Sequence, residues 1–141
     1  MEENQTPLPT ASILLQGIEF THHDIHRVVN IFYNRIQHDP ILKVPFSSVH
    51  DWPEHVKKLT HFWWVRLGGK PYLFYPYNPV EKHFFAGFNS ELLARWLMIF
   101  HDTLKKNLKE DQFNLWALIS TKMGQGLSMK NEIFKKEYEG R

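Results

Sequence analysis

The chain has 141 residues and a mass of 16.9 kDa, a size typical of one domain that buries its own core. Hydrophobic residues make up 43% and charged residues 23%, a balance that excludes a disordered or fibrous chain. The formal net charge of +2 is too small to indicate a nucleic-acid surface, and the absence of cysteine excludes disulfides, thiolate metal sites and covalent CxxCH haem attachment.

The first twenty residues are expected to form an N-terminal extension, partly disordered, ahead of a single domain that covers residues 21–141. This stretch has neither a basic leader nor a long apolar run. We therefore predict no secretion signal and no membrane span, and expect a cytoplasmic protein.

Helix-start and helix-stop residues divide the first half of the domain. Thr21 and Asp24 form a carboxylate variant of the capping box at the start of a first helix, which ends before Pro40. A second helix is predicted to start at Asp51 and to stop at Gly68-Gly69. Apolar residues follow each start at helical spacing, which predicts one buried stripe per helix.

The second half continues the helical pattern. Asn78-Pro79 predicts a short helix that contains His83, and Asn89 caps a long one. After a charged turn at 109–111, Gly124 and Gly126 interrupt a last helical region, which is either one kinked helix or two. Since no useful period-2 alternation appears anywhere, the predicted fold class is all-α.

Nine histidines and an aromatic content of 15% are compatible with a flat ligand or an imidazole-bound metal. His22 and His26 share a helix face, but without a third ligand an exposed helix start is the better interpretation. His61 lies roughly opposite the apolar stripe of its helix and is expected to be solvated. His55 shares an arc with apolar and aromatic residues, so it is either a histidine at the core edge or an imidazole placed over a ligand.

Two other side chains leave alternatives open. His83, which is followed by two phenylalanines, is either a helix-end histidine that interacts with the helix dipole or a ligand to a metal. Tyr33 is either a tyrosine at the core edge or a residue that points its hydroxyl inward.

Several segments together resemble the group III truncated haemoglobins. The resemblance rests on five motifs in order, and Trp96 follows His83 by thirteen residues, as the family pattern requires. The motifs are Phe32-Tyr33, Pro45-Phe46, Trp52-x-x-His55 with Phe62-Trp63, Tyr75 with Pro79 and His83, and Arg95-Trp96-Leu97 with Phe100.

The resemblance implies a globin-like, truncated 2-over-2 helical sandwich around a non-covalent haem b (iron protoporphyrin IX). It implies His83 as the proximal iron ligand, with Tyr33, Trp63 and His55 facing the bound gas on the distal side. The residues that it places against the haem are Phe32, Phe46, His55, Phe62 and Trp96.

The implied function is reversible binding of O₂, and of CO and NO, with high affinity and slow release, in a bacterial monomer suited to oxygen storage. One alternative is a redox enzyme at the same haem, either an NO dioxygenase or a peroxidase-like enzyme, which would need an unidentified reductase. Another is a haem-free helical interaction module. A variant of the first function has iron ligated by both His83 and His55.

Overall fold

The computed structural model describes residues 12–47, 49–73 and 89–139, with side chains up to residue 126. Within these ranges the chain forms four α-helices and one short β-hairpin, so the all-α prediction is confirmed apart from the hairpin. The helices are α1 (His22–His38), α2 (Trp52–Arg66), α3 (Ser90–Asn107) and α4 (Glu110–Glu139). The short helix predicted around His83 lies outside the described residues.

The hairpin precedes the first helix and is not predicted from the sequence. Strand β1 (Ile13–Leu15) pairs antiparallel with β2 (Ile18–Phe20) through a two-residue turn. Gln16 and Gly17 in this turn both have positive φ, the backbone geometry that closes tight hairpins. Three-residue strands are too short for a period-2 pattern to be recognised in the sequence.

The hairpin is attached to the helical body at its second strand. Phe20 is completely buried and its ring meets Trp116 of α4 edge to face. The amide of Gln112 donates a hydrogen bond of 2.8 Å to the carbonyl of Glu19. Phe20 of the predicted extension therefore contributes to the core of the domain, and Ile18 packs against that core.

The helix starts predicted at Thr21, Asp51 and Asn89 are confirmed, whereas the start predicted at Asn78 lies outside the described residues. Thr21 and Asp24 form a reciprocal capping box, and Asp51 and Asn89 each accept a backbone N–H in the first turn of the helix that follows. In the described part of the chain, α1 packs against α2 and α3, and α3 packs against α4. The last helix is continuous through Gly124, so the prediction of one helix rather than two is the correct alternative.

Asp39 fixes the loop that follows α1. Its carboxylate accepts the backbone N–H groups of Ile41 and Leu42 and forms a bidentate pair with Arg95 of α3, at 2.8 and 2.6 Å. The hydrogen bonds from Arg95 lower the pKa of Asp39 to about 2. This pair connects the loop to α3, and the same loop carries Phe46 into the interior.

The end of α2 has the geometry that its two glycines predict. Gly68 has a φ of 109°, a conformation that favours glycine. At Gly69 an added Cβ would lie 2.3 Å from the ring of Trp64, whose indole donates to the carbonyl of Lys70.

In the described residues, no helix is both long and apolar enough to cross a membrane.

Candidate functional site

Four aromatic side chains from three parts of the chain meet between α1 and α2. We call them the distal cluster: Tyr33 of α1, Phe46 of the following loop, and Trp52 and His55 of the first turn of α2. The ring centroid of Tyr33 lies 4.9 Å from that of His55 and 6.0 Å from that of Phe46. Trp52 closes the group, with its ring 5.3 Å from His55.

The cluster combines apolar surface with hydrogen-bonding groups. Tyr33 is 2% exposed and Phe46 is 7% exposed, and the Nε2 atom of His55 is buried. The hydroxyl of Tyr33, the indole of Trp52 and the imidazole of His55 are polar atoms on aromatic rings, and the cluster contains no Asp, Glu, Lys or Arg. The cluster therefore combines polar atoms with an otherwise apolar, uncharged set of rings.

A second group of aromatic rings lies between α2, α3 and α4, and we call it the aromatic core. Its members are Trp63 of α2, Trp96 and Phe100 of α3, and Trp116 of α4. Trp63 stacks on Phe100 at 5.4 Å, and Trp96 stacks on the same ring at 5.0 Å. Phe32 lies against Trp96 and Phe100 on one side and against Tyr33 on the other. Phe32 therefore joins this aromatic core to the distal cluster.

The residues that sequence analysis assigns to the site are divided between these two groups. Tyr33, Phe46 and His55 are brought together, and the inward orientation of His55 expected from its helical arc is observed. Among the ring contacts of the described residues, none joins Trp63 to Tyr33 or His55. Phe62, half-buried, contacts Trp63, whereas His83, the expected iron ligand, lies outside the described residues.

Trp52 belongs to the site but is missing from the predicted site residues. The sequence places it only in the motif Trp52-x-x-His55 of the resemblance. Its separation of three residues from His55 places both on one face of α2, and this spacing was the available signal. Phe100, the ring on which Trp63 and Trp96 both stack, is likewise only a motif position in the sequence.

Two predictions about other histidines are wrong. His22 is 8% exposed and its Nε2 is hydrogen-bonded to the hydroxyl of Tyr72, so the exposed helix start expected for His22 and His26 is wrong for His22. His26 is exposed, as expected. His61 is only partly exposed, whereas a solvated side chain was expected, and its Nε2 accepts the backbone N–H groups of Tyr72 and Leu73 at 3.0 and 3.2 Å. The segment that follows α2 folds back over both imidazoles, and helical periodicity does not predict such a contact.

Burial lowers the pKa of three histidines outside the distal cluster. Desolvation is the largest cause for His22 and His61, and also for His101, whose Nε2 lies 3.0 Å from the hydroxyl of Ser120. In the described ranges, no three His, Asp or Glu side chains are close enough together to hold a metal ion.

Comparison with known proteins points to one family. A group 3 truncated hemoglobin of Campylobacter jejuni is 28% identical over 99 residues, which cover 64% of this chain and 75% of that protein. The crystal structure of a group III truncated hemoglobin from Campylobacter jejuni matches with a TM-score of 0.69 and 23% identity, over 82% of this chain and 93% of that one. The chain has the truncated-globin fold. No protein-family model matches it.

This result confirms the resemblance to the group III truncated haemoglobins that the five sequence motifs indicate. In the truncated-globin fold of this chain, α1, the loop that follows it and α2 contribute the distal cluster, and α3 contributes Trp96 and Phe100 to the aromatic core.

Proposed function

We propose that the chain binds haem b non-covalently, with His83 as the iron ligand, and uses it to bind O₂, CO and NO reversibly. The observation that carries this proposal is the distal cluster itself. Tyr33, Phe46 and His55 come from three separate motifs of the resemblance, yet their rings lie within 4.9 to 6.3 Å of one another. The truncated-globin fold supports the same conclusion.

The residues present fit a haem. A porphyrin has two broad apolar faces, and Phe46 and the aromatic core offer apolar rings of matching character. When bound, the haem supplies an iron with a coordination position for a diatomic gas. Phe32, Phe62 and Trp96 are proposed to line the haem and exclude water from it.

Tyr33 is the proposed principal donor to the gas. Its side chain is buried, so its hydroxyl donates in surroundings where water competes little. The ring of His55 stands nearly perpendicular to that of Tyr33 and restricts its orientation. We propose that Trp63 and His55 provide further donors, and that these hydrogen bonds make O₂ release slow.

The test is an absorption spectrum of the purified protein with haem, reduced with dithionite, before and after addition of CO. We expect stoichiometric haem and a five-coordinate ferrous spectrum that shifts with CO. His83→Gly should lose the spectrum of histidine-ligated iron, whereas the control His50→Gly, at an exposed loop position, should keep it.

Two other results would contradict parts of the proposal. A six-coordinate ferrous spectrum that becomes five-coordinate in His55→Leu would make His55 an iron ligand instead of a distal donor. Failure to bind stoichiometric haem would refute the gas-binding function and leave a globin fold with another use.

A further inference from the structure

The segment after α2 is held by an unusual hydrogen-bond acceptor. The Nε2 atom of His61 accepts two consecutive backbone N–H groups, those of Tyr72 and Leu73, at 3.0 and 3.2 Å. The rings of His61 and Tyr72 also meet edge to face, with centroids 4.7 Å apart. One imidazole therefore fixes both the backbone and the side chain of this segment.

A second imidazole holds the same segment from α1. The hydroxyl of Tyr72, which is 9% exposed, is hydrogen-bonded to Nε2 of His22 at 2.5 Å. The ring of His22 also contacts Trp64, whose indole in turn donates to the carbonyl of Lys70. The first turn of α1, the last turns of α2 and residues 70–73 are thus joined through two histidines.

The contact at His61 requires one protonation state. An imidazole nitrogen that accepts hydrogen bonds carries no proton, so neutral His61 has its proton on Nδ1. In the imidazolium both nitrogens carry protons, and Nε2 can then only donate. Protonation would set an N–H against the two backbone N–H groups of Tyr72 and Leu73, and both hydrogen bonds would be lost.

Desolvation opposes protonation of both imidazoles, and charged neighbours oppose it further at His22. His23 and His26 on α1 and His61 on α2 each lower the pKa of His22, after desolvation, which is the largest cause. Lys57 and Lys58 lie about one turn of α2 before His61, and Lys70 lies two residues before Tyr72. Among the groups that shift the pKa of His22 or His61, none is a carboxylate.

We propose that His61 is a pH-sensitive latch, which holds residues 72 and 73 against α2 when it is neutral and releases them when it is protonated. Release also removes the backbone support of Tyr72, and with it the contact between Tyr72 and His22. Because burial lowers the pKa of His61 below its ordinary value of 6.5, the latch is closed at neutral pH and opens only in acid.

The position of the latch gives it a consequence for the haem. Leu73 precedes His83 by ten residues, so the latch fixes the chain at the start of the segment that carries the proposed iron ligand. This consequence rests on the proposed function: when the latch is open, we expect the protein to bind haem less firmly. Acid would then promote haem loss through His61, in addition to any direct effect on His83.

The latch itself is tested by amide hydrogen exchange of the full chain as purified, in the ferrous CO form if it carries haem. Between pH 7.5 and 5.5 we expect the protection factors of Tyr72 and Leu73 to fall tenfold or more relative to that of Leu59 within α2. His61→Gln should abolish this fall, because a glutamine oxygen accepts both N–H groups at every pH. His61→Ala should leave both amides unprotected at either pH.

The matched control is His101→Gln, which alters another partly buried histidine, one bonded to α4 instead of to this segment. It should retain the acid-induced fall in protection. Protection factors that stay constant with pH in the wild type, or that still fall in His61→Gln, would overturn the latch.

Transfer of haem to an excess of an acceptor apoglobin tests the consequence separately. Acid should accelerate the transfer from the wild type more than from His61→Gln. Equal acceleration in both would refute the link to the haem. A chain that binds no haem would refute the proposed function, whereas amide exchange would still test the latch.

Discussion

Tyr33 has the clearest individual role among the proposed gas-binding residues. It is buried, it contacts each of the other three members of the distal cluster, and it also contacts Phe32 of the aromatic core. A hydroxyl in such a place donates with little competition from water, and a gas with partial negative charge is a good acceptor. The strength of this one hydrogen bond should therefore appear in the rate of gas release.

Replacing Tyr33 by phenylalanine removes the hydroxyl and leaves the ring contacts in place. A hydrogen bond to a charged acceptor contributes roughly 1.5–3 kcal/mol, so O₂ release should become about tenfold to a hundredfold faster. Stopped-flow displacement of O₂ by CO measures this rate. The release of CO, a weaker acceptor, should change much less.

Tyr72→Phe is a matched control for this substitution at pH 7.5. Tyr72 is also a buried tyrosine, but its hydroxyl is bonded to His22 and not to a member of the distal cluster. Its O₂ release should stay close to that of the wild type. If the two variants released O₂ equally fast, the special role of Tyr33 would be refuted.

At the scale of the element, the helices are well specified by local signals. Thr21, Asp51 and Asn89 are each followed by a helix, because a side-chain oxygen satisfies N–H groups that the first turn leaves without a partner. The stop at Gly68 has an equally local cause, a backbone with positive φ. Such signals involve residues a few positions apart, and a sequence therefore displays them directly.

Two glycine substitutions should have opposite effects on stability. Gly69→Ala would place a methyl group 2.3 Å from the ring of Trp64, which is itself held by Lys70, and we expect a loss of about 1–3 kcal/mol. Gly126→Ala lies within α4 with no atom within 4 Å of the new Cβ. It should stabilise the protein by about 0.5–1 kcal/mol, because alanine loses less backbone entropy than glycine.

Urea unfolding at pH 7.5 measures both changes. An unaltered unfolding free energy in Gly69→Ala would mean that Trp64 moves aside without cost. A destabilised Gly126→Ala would mean that the last helix is not regular at that position.

At the scale of the whole molecule, the features that the sequence does not predict are contacts between distant segments. The hairpin depends on the contact between Phe20 and Trp116, and the partial burial of His61 depends on residues 72 and 73 folding back over it. A periodicity argument treats each helix as if it had one buried face and one solvated face. It fails where a loop covers the second face.

In the candidate site, too, a feature within one helix is predicted correctly, whereas contacts between segments are not. The arc of His55 correctly predicts an inward side chain, because the apolar neighbours that define this arc lie on the same helix. The resemblance assigns Trp63 and Tyr33 to the same bound gas. No rule based on neighbouring residues in the sequence predicts which aromatic ring each of them contacts. The stacking of Trp63 on Phe100 joins a residue of α2 to one of α3 and follows from neither helix alone.

The three histidines of lowered pKa lie on three different helices, and together they should make the stability of the molecule depend on pH. Each has a pKa below its ordinary value of 6.5 in the folded chain, so the unfolded chain binds more protons. Their stabilising contribution is complete above about pH 6.5 and is lost as the pH falls through the lowered pKa values. Each changes the unfolding free energy by at most about 1.4 kcal/mol per pH unit, and by less here because solvent reaches these side chains.

Urea unfolding at pH 7, 6 and 5 should therefore give a decreasing free energy of unfolding. His101→Gln should make the decrease shallower, because glutamine can keep a hydrogen bond to Ser120 and does not titrate. His50→Gln, at an exposed position, should follow the wild type. A wild-type free energy that stays constant from pH 7 to 5, or an identical slope in His101→Gln, would show that burial of these imidazoles does not govern the acid sensitivity of the fold.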